Sequence, residues 1–307
     1  MISNRAEALV LITEPLPDYE LIDSGDEKKL ERYGEFVVSR PDPQALWLPL
    51  HNEEWNNLDG EFIRKGKHVE WKLKETVPES WTIGIDSLTL VIRPTSFKHT
   101  GIFPEQIPHW RWMEKKIKDE LKKSVKEIKV LNLFGYTGGA TLACARAGAS
   151  VCHVDASKSA VMWAKENAQH SGLTDAPIRY IVDDCVKFLK REIKRGTKYD
   201  AIIMDPPAFG HGPKDELWKI EEDFRSLLSL SKSVLSSAPL FVLINGYASG
   251  YSPTTYANCL SGIMEEYSGE IACGEVAIRE SHSNRLLPSG IFARWQSVQS
   301  DTISQAE

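Results

Sequence analysis

The sequence predicts an α/β fold: a mostly parallel sheet with helices on both faces, closed by antiparallel strands and preceded by a smaller β-rich N-terminal domain. Three observations predict it. From about residue 106, short apolar runs alternate with amphipathic stretches of helical spacing, which is how a sheet wound on both faces reads. Two final β-type runs, 271–279 and 290–295, have no helix between them and so should pair antiparallel. Before residue 96, short β-type runs are separated by turn residues.

Taken in order, the N-terminal runs are 35–38, 70–73, 81–85 and 88–92, with Asp86-Ser87 as a two-residue hairpin link between the last two. Six of the nine tryptophans lie before residue 113. They suit the core of a small β module; an RNA-stacking surface is the sharper alternative. Residues 107–124 alternate apolar and charged residues at helical spacing. There follow strand 128–133, helix 140–147, strand 151–154, helix 158–170, strand 178–182 and helix 185–194. Strand 199–204, helix 215–235, strand 240–244 and helix 253–267 complete the series. The expected division is a β-rich domain over 1–105, the large sheet domain over 106–296 and a polar tail over 297–307.

With 307 residues, 42% hydrophobic and 26% charged, the chain is globular rather than disordered or disulfide-stapled. Five cysteines without CxxC spacing argue against a disulfide framework or a cysteine-rich zinc site. With no leader-like start and no apolar run long enough to span a bilayer, a cytoplasmic protein is expected. The formal net charge of −6 disfavours a general coat for polyanions. That charge is uneven: residues 1–60 hold 5 basic and 13 acidic residues, and the rest 32 and 30. Residues 111–129 hold eight basic and four acidic residues, and residues 187–198 six and one. These two stretches read either as solvated helix faces or as phosphate contacts.

In such a sheet, ligands bind beyond the carboxyl ends of the strands. After the first strand of the series comes Phe134-Gly135-Tyr136-Thr137-Gly138-Gly139, whose glycines allow close backbone approach ahead of a helix N-terminus. It is neither the dinucleotide fingerprint nor a P-loop. After the second strand, Asp155 lies 20 residues beyond Gly135, where an acid can accept both hydroxyls of a ribose. After the third, Asp184 can accept from an exocyclic amine, beside Cys185. A helix cap is the plain alternative for both acids. After the fourth comes Asp205-Pro206-Pro207-Ala208-Phe209. The prolines stiffen the backbone, the residue before a proline is held extended, and Phe209 offers a face for a flat ring.

In that order on successive strands, these features resemble the Rossmann-like class I S-adenosylmethionine-dependent methyltransferases over roughly residues 128–245. Phe97-Lys98-His99-Thr100-Gly101-Ile102-Phe103-Pro104-Glu105-Gln106 resembles the Lys-Thr-Gly-x-Phe-x-Asp-Gln segment of bacterial large-subunit ribosomal RNA methyltransferases, with His99 interrupting and Glu105 replacing the Asp. The stretches Tyr19-Glu20-Leu21-Ile22-Asp23-Ser24-Gly25, Ile278-Arg279-Glu280 and Leu287-Pro288-Ser289-Gly290 are similar to a subgroup in which a short β-rich domain stands in place of an RNA-binding PUA domain. The resemblance implies S-adenosylmethionine as donor, S-adenosylhomocysteine as product, and no metal. It implies that the donor's methionine end lies along Phe134, Gly135, Tyr136, Thr137 and Gly138, with Thr100, Gly101 and Phe103 closing over it. Asp155, followed by Ala156 and Ser157, would take the ribose, and Asp184 beside Cys185 the adenine amine. Asp205, Pro206, Pro207 and Phe209 would border the acceptor.

Methylation at carbon 5 of a pyrimidine needs a cysteine nucleophile. Ribosomal relatives that do this carry it after the strand following Asp-Pro-Pro. Here that segment reads Leu243-Ile244-Asn245-Gly246-Tyr247-Ala248-Ser249, without a cysteine, so Cys185 or Cys259 would have to reach in. The expected acceptor is a base nitrogen in structured, ribosomal RNA. Asp205 and the Pro206 carbonyl would accept from the amine, and His211 is either a proton acceptor or a solvated loop histidine. A small-molecule or protein acceptor, a nicotinamide-dependent oxidoreductase and a non-catalytic RNA-binding module are the alternatives.

Overall fold

The computed structural model describes residues 9–65, 68–96, 98–212, 217–247 and 250–298. The chain opens with β1 (Leu9–Thr13), β2 (Tyr19–Gly25), β3 (Lys28–Tyr33), β4 (Phe36–Pro41), β5 (Gly60–Lys65), β6 (His68–Leu73), β7 (Trp81–Ile85) and β8 (Leu88–Ile92). Then come α1 (Ile107–Leu121), β9 (Lys129–Leu133), α2 (Gly139–Arg146), β10 (Ser150–Asp155), α3 (Lys158–His170), β11 (Ile178–Val182) and α4 (Cys185–Arg195). The last third holds β12 (Ala201–Met204), β13 (Phe209–His211), β14 (Leu217–Lys219), α5 (Ile220–Ser233), β15 (Phe241–Gly246), α6 (Pro253–Met264), β16 (Gly269–Arg279) and β17 (Leu286–Ser297).

Eight strands form the large sheet in the order β1-β16-β17-β15-β12-β9-β10-β11. All neighbours run parallel except β17, which is antiparallel to both β15 and β16. The expected α/β architecture with an antiparallel closing pair is borne out. The central strands are near-continuous apolar runs; β12 and β15 are buried at every position. That is what covering both faces with helices demands. From β9 the chain moves to β10 on one side and later to β12 on the other, and the opening between β9 and β12 is where such sheets hold ligands.

Strands β2 to β6 form a separate five-stranded sheet, and β7–β8 a hairpin. The hairpin lies on α3, whose side chains satisfy its open edge. Asn167 accepts from the Val91 N–H at 2.8 Å, Ser171 from the Thr89 N–H at 3.0 Å, and Trp163 donates to the Val91 carbonyl at 3.1 Å. Side chains thus cap an edge that would otherwise invite a foreign strand.

Two features depart from the expected layout. Strand β1 pairs with β16 in the large sheet, so the residues before 106 do not all belong to one separate domain. Without β1 the long strand β16 would leave its outer edge unpaired. The helix expected over 215–235 begins only at Ile220, because Leu217–Lys219 pairs antiparallel with Phe209–His211.

Candidate active site

A cavity of about 960 Å³ opens beyond the carboxyl ends of β9, β10 and β12, and a chamber of about 60 Å³ lies behind the glycine loop. The first is at the upper end of the roughly 300–1,000 Å³ of ordinary ligand pockets. Phe103, Phe134, Tyr136 and Asp205 border both spaces. Gly101, Gly135, Thr137 and Gly138 line the chamber, while Asp155, Ala156, Ser157, Asp184, Cys185, Pro206 and Pro207 line the cavity. Thr100 is buried beside them and lines neither.

The loop after β9 is held in an unusual shape. Phe134 and Tyr136 have φ of 57° and 47°, a left-handed region that costs bulky residues about 1–3 kcal/mol each. Surrounding bonds impose it. The Gly135 N–H donates to the Val154 carbonyl at 3.0 Å, and the Tyr136 N–H to Asp155 Oδ2 at 2.8 Å. Thr137 Oγ1 donates to the Gly101 carbonyl at 2.5 Å, and Asn167 Nδ2 to the Thr137 carbonyl at 2.9 Å. Gly101 sits at φ 104° with its α-carbon against the Trp163 ring, where a Cβ would overlap the indole. Gly101→Ala is therefore expected to destabilise the protein by about 2–4 kcal/mol through backbone strain and overpacking. Urea unfolding with an unchanged midpoint would contradict this.

Asp155 is half-buried at the end of β10 and accepts two N–H groups, from Tyr136 and, at 2.8 Å on Oδ1, from Ser157. Burial raises its carboxyl above the ordinary range, and the two N–H groups oppose that rise. The cap of α3 is Ser157 rather than Asp155. Asp184 does cap its helix, accepting from the Lys187 N–H at 2.8 Å, and its residue still borders the cavity. Burial pushes the Cys185 thiol well above its ordinary value, with Asp155 and Asp184 adding to the effect.

Asp205 emerges from β12, and burial, then Glu105 beside it, pushes its carboxyl up to about 7. The aromatic expected at this end is displaced. Phe209 is 57% exposed and lies outside both linings. In the β13–β14 hairpin, Gly210 pairs with Trp218, while Phe209 pairs with Lys219. Successive strand residues face opposite ways, so the register that turns Gly210 and Trp218 to the cavity turns Phe209 outward. Trp218, only 6% exposed, is the aromatic wall; its Nε1 donates to the Pro207 carbonyl at 2.6 Å and its ring lies 5.3 Å from that of Phe134. In the sequence Trp218 falls within a stretch, 215–235, that reads as helix, and Leu217-Trp218-Lys219 carries no apolar–polar alternation to mark a strand. The side chain of His211 lies outside the described residues, as do Phe97, Ala248 and Ser249.

Further lining comes from the small sheet and the segment before α1. Lys29, Arg40 and Lys98 face the cavity from there. Arg40 is held by Glu31 at 2.6 Å and Lys29 by Asp42 at 3.3 Å. The Lys98 ammonium donates only weakly to the Pro41 carbonyl, at 3.4 Å. Burial, with Lys29 and Arg40 nearby, lowers its pKa. Burial, followed by the same cations, pushes His99 down to about 4, so its ring is neutral at physiological pH. By contrast, none of the described residues of the two basic stretches lines the cavity. Most of the cations in 111–129 are paired with acids, such as Arg111 with Asp86 and Lys126 with Asp200, and in 187–198 Arg191 pairs with Asp183. Pro288, Ser289 and Gly290 complete the far side.

A parallel sheet with a glycine loop and acids at successive strand ends, opening on one cavity, defines a nucleoside-binding α/β enzyme of the methyltransferase type. The comparisons agree. The family model described as Conserved hypothetical protein 95 matches residues 100–232. The crystal structure of the SAM-dependent methyltransferase from Agrobacterium tumefaciens is 38% identical, covers 97% of this chain and 98% of its own, and superposes with a TM-score of 0.89. The ribosomal RNA large subunit methyltransferase K/L of Shewanella frigidimarina is 34% identical over 136 residues, 44% of this chain; the matched part is only 18% of that longer protein. The structure of SMU.776 complexed with SAH has the same fold, with a TM-score of 0.70 at 18% identity over 91% of this chain and 76% of that one. The chain belongs to the S-adenosylmethionine-dependent methyltransferase family.

The residues present suit that donor. An acid that can accept from a diol stands at Asp155, and apolar and aromatic walls stand at Phe134, Tyr136 and Cys185. Two carboxyls whose pKa burial raises, Asp205 and Glu105, border the cavity where a cationic tail would neutralise them.

Proposed function

We propose that the protein transfers a methyl group from S-adenosylmethionine to a base nitrogen in structured RNA, with ribosomal RNA as the acceptor. One observation carries this reading: a single cavity is lined by Asp155, Asp184 and Asp205 at the strand ends of the large sheet and by Lys29, Arg40 and Lys98 from the small sheet and the segment before α1. The acids suit the nucleoside donor, and Lys98, which donates to the Pro41 carbonyl at 3.4 Å rather than to an acid, suits a phosphate of the acceptor. The cysteines support nitrogen over carbon. Among the described residues Cys185 alone of the five lines the cavity, at the Asp184 edge, with its thiol held protonated. Tyr247 stands in the segment where carbon-5 relatives place their nucleophile. Membership of the methyltransferase family favours this chemistry over nicotinamide-dependent oxidation.

Bound S-adenosylmethionine supplies the activated methyl. Asp155 would hold the ribose, Asp184 the adenine amine, and the chamber behind Thr137 and Gly138 the methionine end. Trp218 would stack on the acceptor base, while Asp205 and the Pro206 carbonyl accept from its amine. The nitrogen lone pair forms the new N–C bond as the C–S bond breaks, the electron pair passes to sulfur, and the spare N–H proton leaves to Asp205 or water. Orientation and exclusion of water are the protein's main contributions. No metal takes part, and the free thiols fit a reducing cytoplasm.

The test is transfer of labelled methyl into ribosomal RNA from cells lacking the protein, mapped by mass spectrometry. Label entering protein or small molecules but not RNA would overturn the RNA acceptor. In that assay Trp218→Ala is expected to lower kcat/KM about 10–100-fold, the worth of one base–aromatic stack, and Phe209→Ala much less. Equal losses in the two variants would refute the assignment of Trp218.

A further inference from the structure

Between β4 and β5 the chain presents an apolar ridge that has no part in the reading above. Leu46, Leu48 and Leu50 are 79%, 74% and 55% exposed, the three most exposed leucines among the described residues. Scattered apolar side chains on a surface need no explanation, but a contiguous run of them held in water marks a contact site. The ridge is fixed in place. The Ala45 and Trp47 carbonyls accept from the Glu27 and Asp26 N–H groups, each at 2.8 Å. The Leu48 carbonyl accepts from Arg285 Nη1 at 2.8 Å, and the Leu50 N–H donates to Asp23 Oδ2 at 3.0 Å. Trp47 and Pro49 turn the other way. The Trp47 indole donates to the Ser24 carbonyl at 2.9 Å, and Pro49 lies against Gly25, where a Cβ would overlap it. Alternate residues of an extended segment face opposite ways, so these anchors hold the leucines outward.

Two observations identify the occupant. First, the ridge continues the cavity lining. Asp42, Pro43 and Gln44 border the cavity, and the Leu46 N–H donates to the Gln44 carbonyl at 3.0 Å. Whatever lies on the ridge is therefore next to what enters the cavity. Second, residues 43–52 carry no acid, the longest such run in the acidic first sixty residues. A phosphate backbone can approach there without like-charge repulsion. A base of structured RNA must leave its stack to reach Asp205 and Trp218 at the cavity. The gap it leaves is flat and apolar, and proteins that unstack bases insert apolar side chains into such gaps.

We propose that Leu46, Leu48 and Leu50 form a wedge that enters the base stack of the acceptor RNA while the target base is held in the cavity. The inference rests on the RNA reading above and deepens it. The leucines replace part of the stacking that the target base gives up, and so favour the extruded state over the stacked one. Their side chains have no hydrogen-bonding groups, so the contact tolerates any neighbouring base and leaves sequence choice to the cavity. A fixed ridge suits this task, because no further ordering of the protein opposes the insertion.

Methyl transfer into folded ribosomal RNA from cells lacking the protein tests this with two triple variants. Leu46→Ser, Leu48→Ser and Leu50→Ser together are expected to lower kcat/KM about 10–100-fold, the scale of unstacking one base. Leu46→Met, Leu48→Met and Leu50→Met together keep the apolar volume and should stay within about threefold of the wild type. Affinity for S-adenosylhomocysteine should be unchanged in both variants, and sedimentation should give the wild type and the serine variant the same mass. If the triple serine variant does not fold, Leu48→Ser carries the same test with a smaller loss. A serine variant as active as the wild type would overturn the proposal, as would equal losses in the serine and methionine variants. A loss of donor affinity that matches the loss of activity would overturn it too. A wild-type dimer that the serine variant dissociates would assign the ridge to a second copy of this chain instead. In each of these cases the RNA reading stands. A wild type that leaves the RNA unmethylated would overturn that reading and this inference together.

Discussion

Asp155→Ala is expected to weaken binding of S-adenosylhomocysteine about 100-fold, measured by calorimetry on protein whose circular dichroism matches the wild type. Two losses combine. The carboxylate would accept both ribose hydroxyls, and hydrogen bonds to a charged group contribute about 1.5–3 kcal/mol each. It also accepts the Tyr136 and Ser157 N–H groups at 2.8 Å, and so holds the glycine loop against the first turn of α3. Each 1.4 kcal/mol is tenfold in affinity, so about 3 kcal/mol in all is a conservative expectation. Asp155→Asn keeps one acceptor oxygen and should fall between, near tenfold. Affinity unchanged within threefold in the alanine variant would remove Asp155 from the donor site.

Arg285→Ala is expected to cost about 3–5 kcal/mol of stability, read from urea unfolding. Arg285, at the end of the β16–β17 return, reaches into the small sheet. Its guanidinium donates to Asp23 at 2.6 Å, Glu280 at 2.8 Å, the Leu48 carbonyl at 2.8 Å and the Ser24 carbonyl at 2.9 Å. The Asp23 and Glu280 side chains are fully buried. Removing the arginine leaves two buried carboxylates with neutral donors only, such as Trp55 Nε1 on Asp23 and the Ser24 hydroxyl on Glu280, and without a counter-charge. Arg285→Lys should recover little, since a single ammonium cannot reproduce a planar fork that serves four acceptors. Full rescue by lysine would show that charge alone matters at this joint. The same contact fastens the small sheet to the large one, and with it the wall that carries Lys29 and Arg40.

The strand ends were legible because their signals are local. Phe134 to Gly138, Asp155, Asp184 and Asp205-Pro206-Pro207 each stand at the end of a short apolar run, and each borders the cavity or its chamber. The glycine loop's strained backbone was not legible, since φ values of 57° and 47° at Phe134 and Tyr136 are imposed by Val154, Asp155 and Asn167. Nor did the net charge of residues 1–60 locate the acidity. Glu31 and Asp42 are spent on Arg40 and Lys29, and Asp23 on Arg285, so the acidic segment meets the cavity with the paired charges Lys29, Arg40 and Asp42. The basic stretches 111–129 and 187–198, which looked better suited to phosphate, line no part of the cavity; most cations of the first are paired with acids at the surface, as are Arg191 and Arg195 of the second, where such pairs contribute little.

By itself, the sequence determined the alternation of strands and helices from β9 to β12, the parallel core and the acids at successive strand ends. Periodicity and loop chemistry act over a few residues and need no partner. Only the tertiary structure decided which aromatic faces the cavity, because a one-residue alternation in a three-residue strand turns Phe209 outward and Trp218 inward. It alone brought Glu105 beside Asp205 and set Lys29, Arg40 and Lys98 on the same cavity, since residues so far apart in the chain meet only when both sheets are in place.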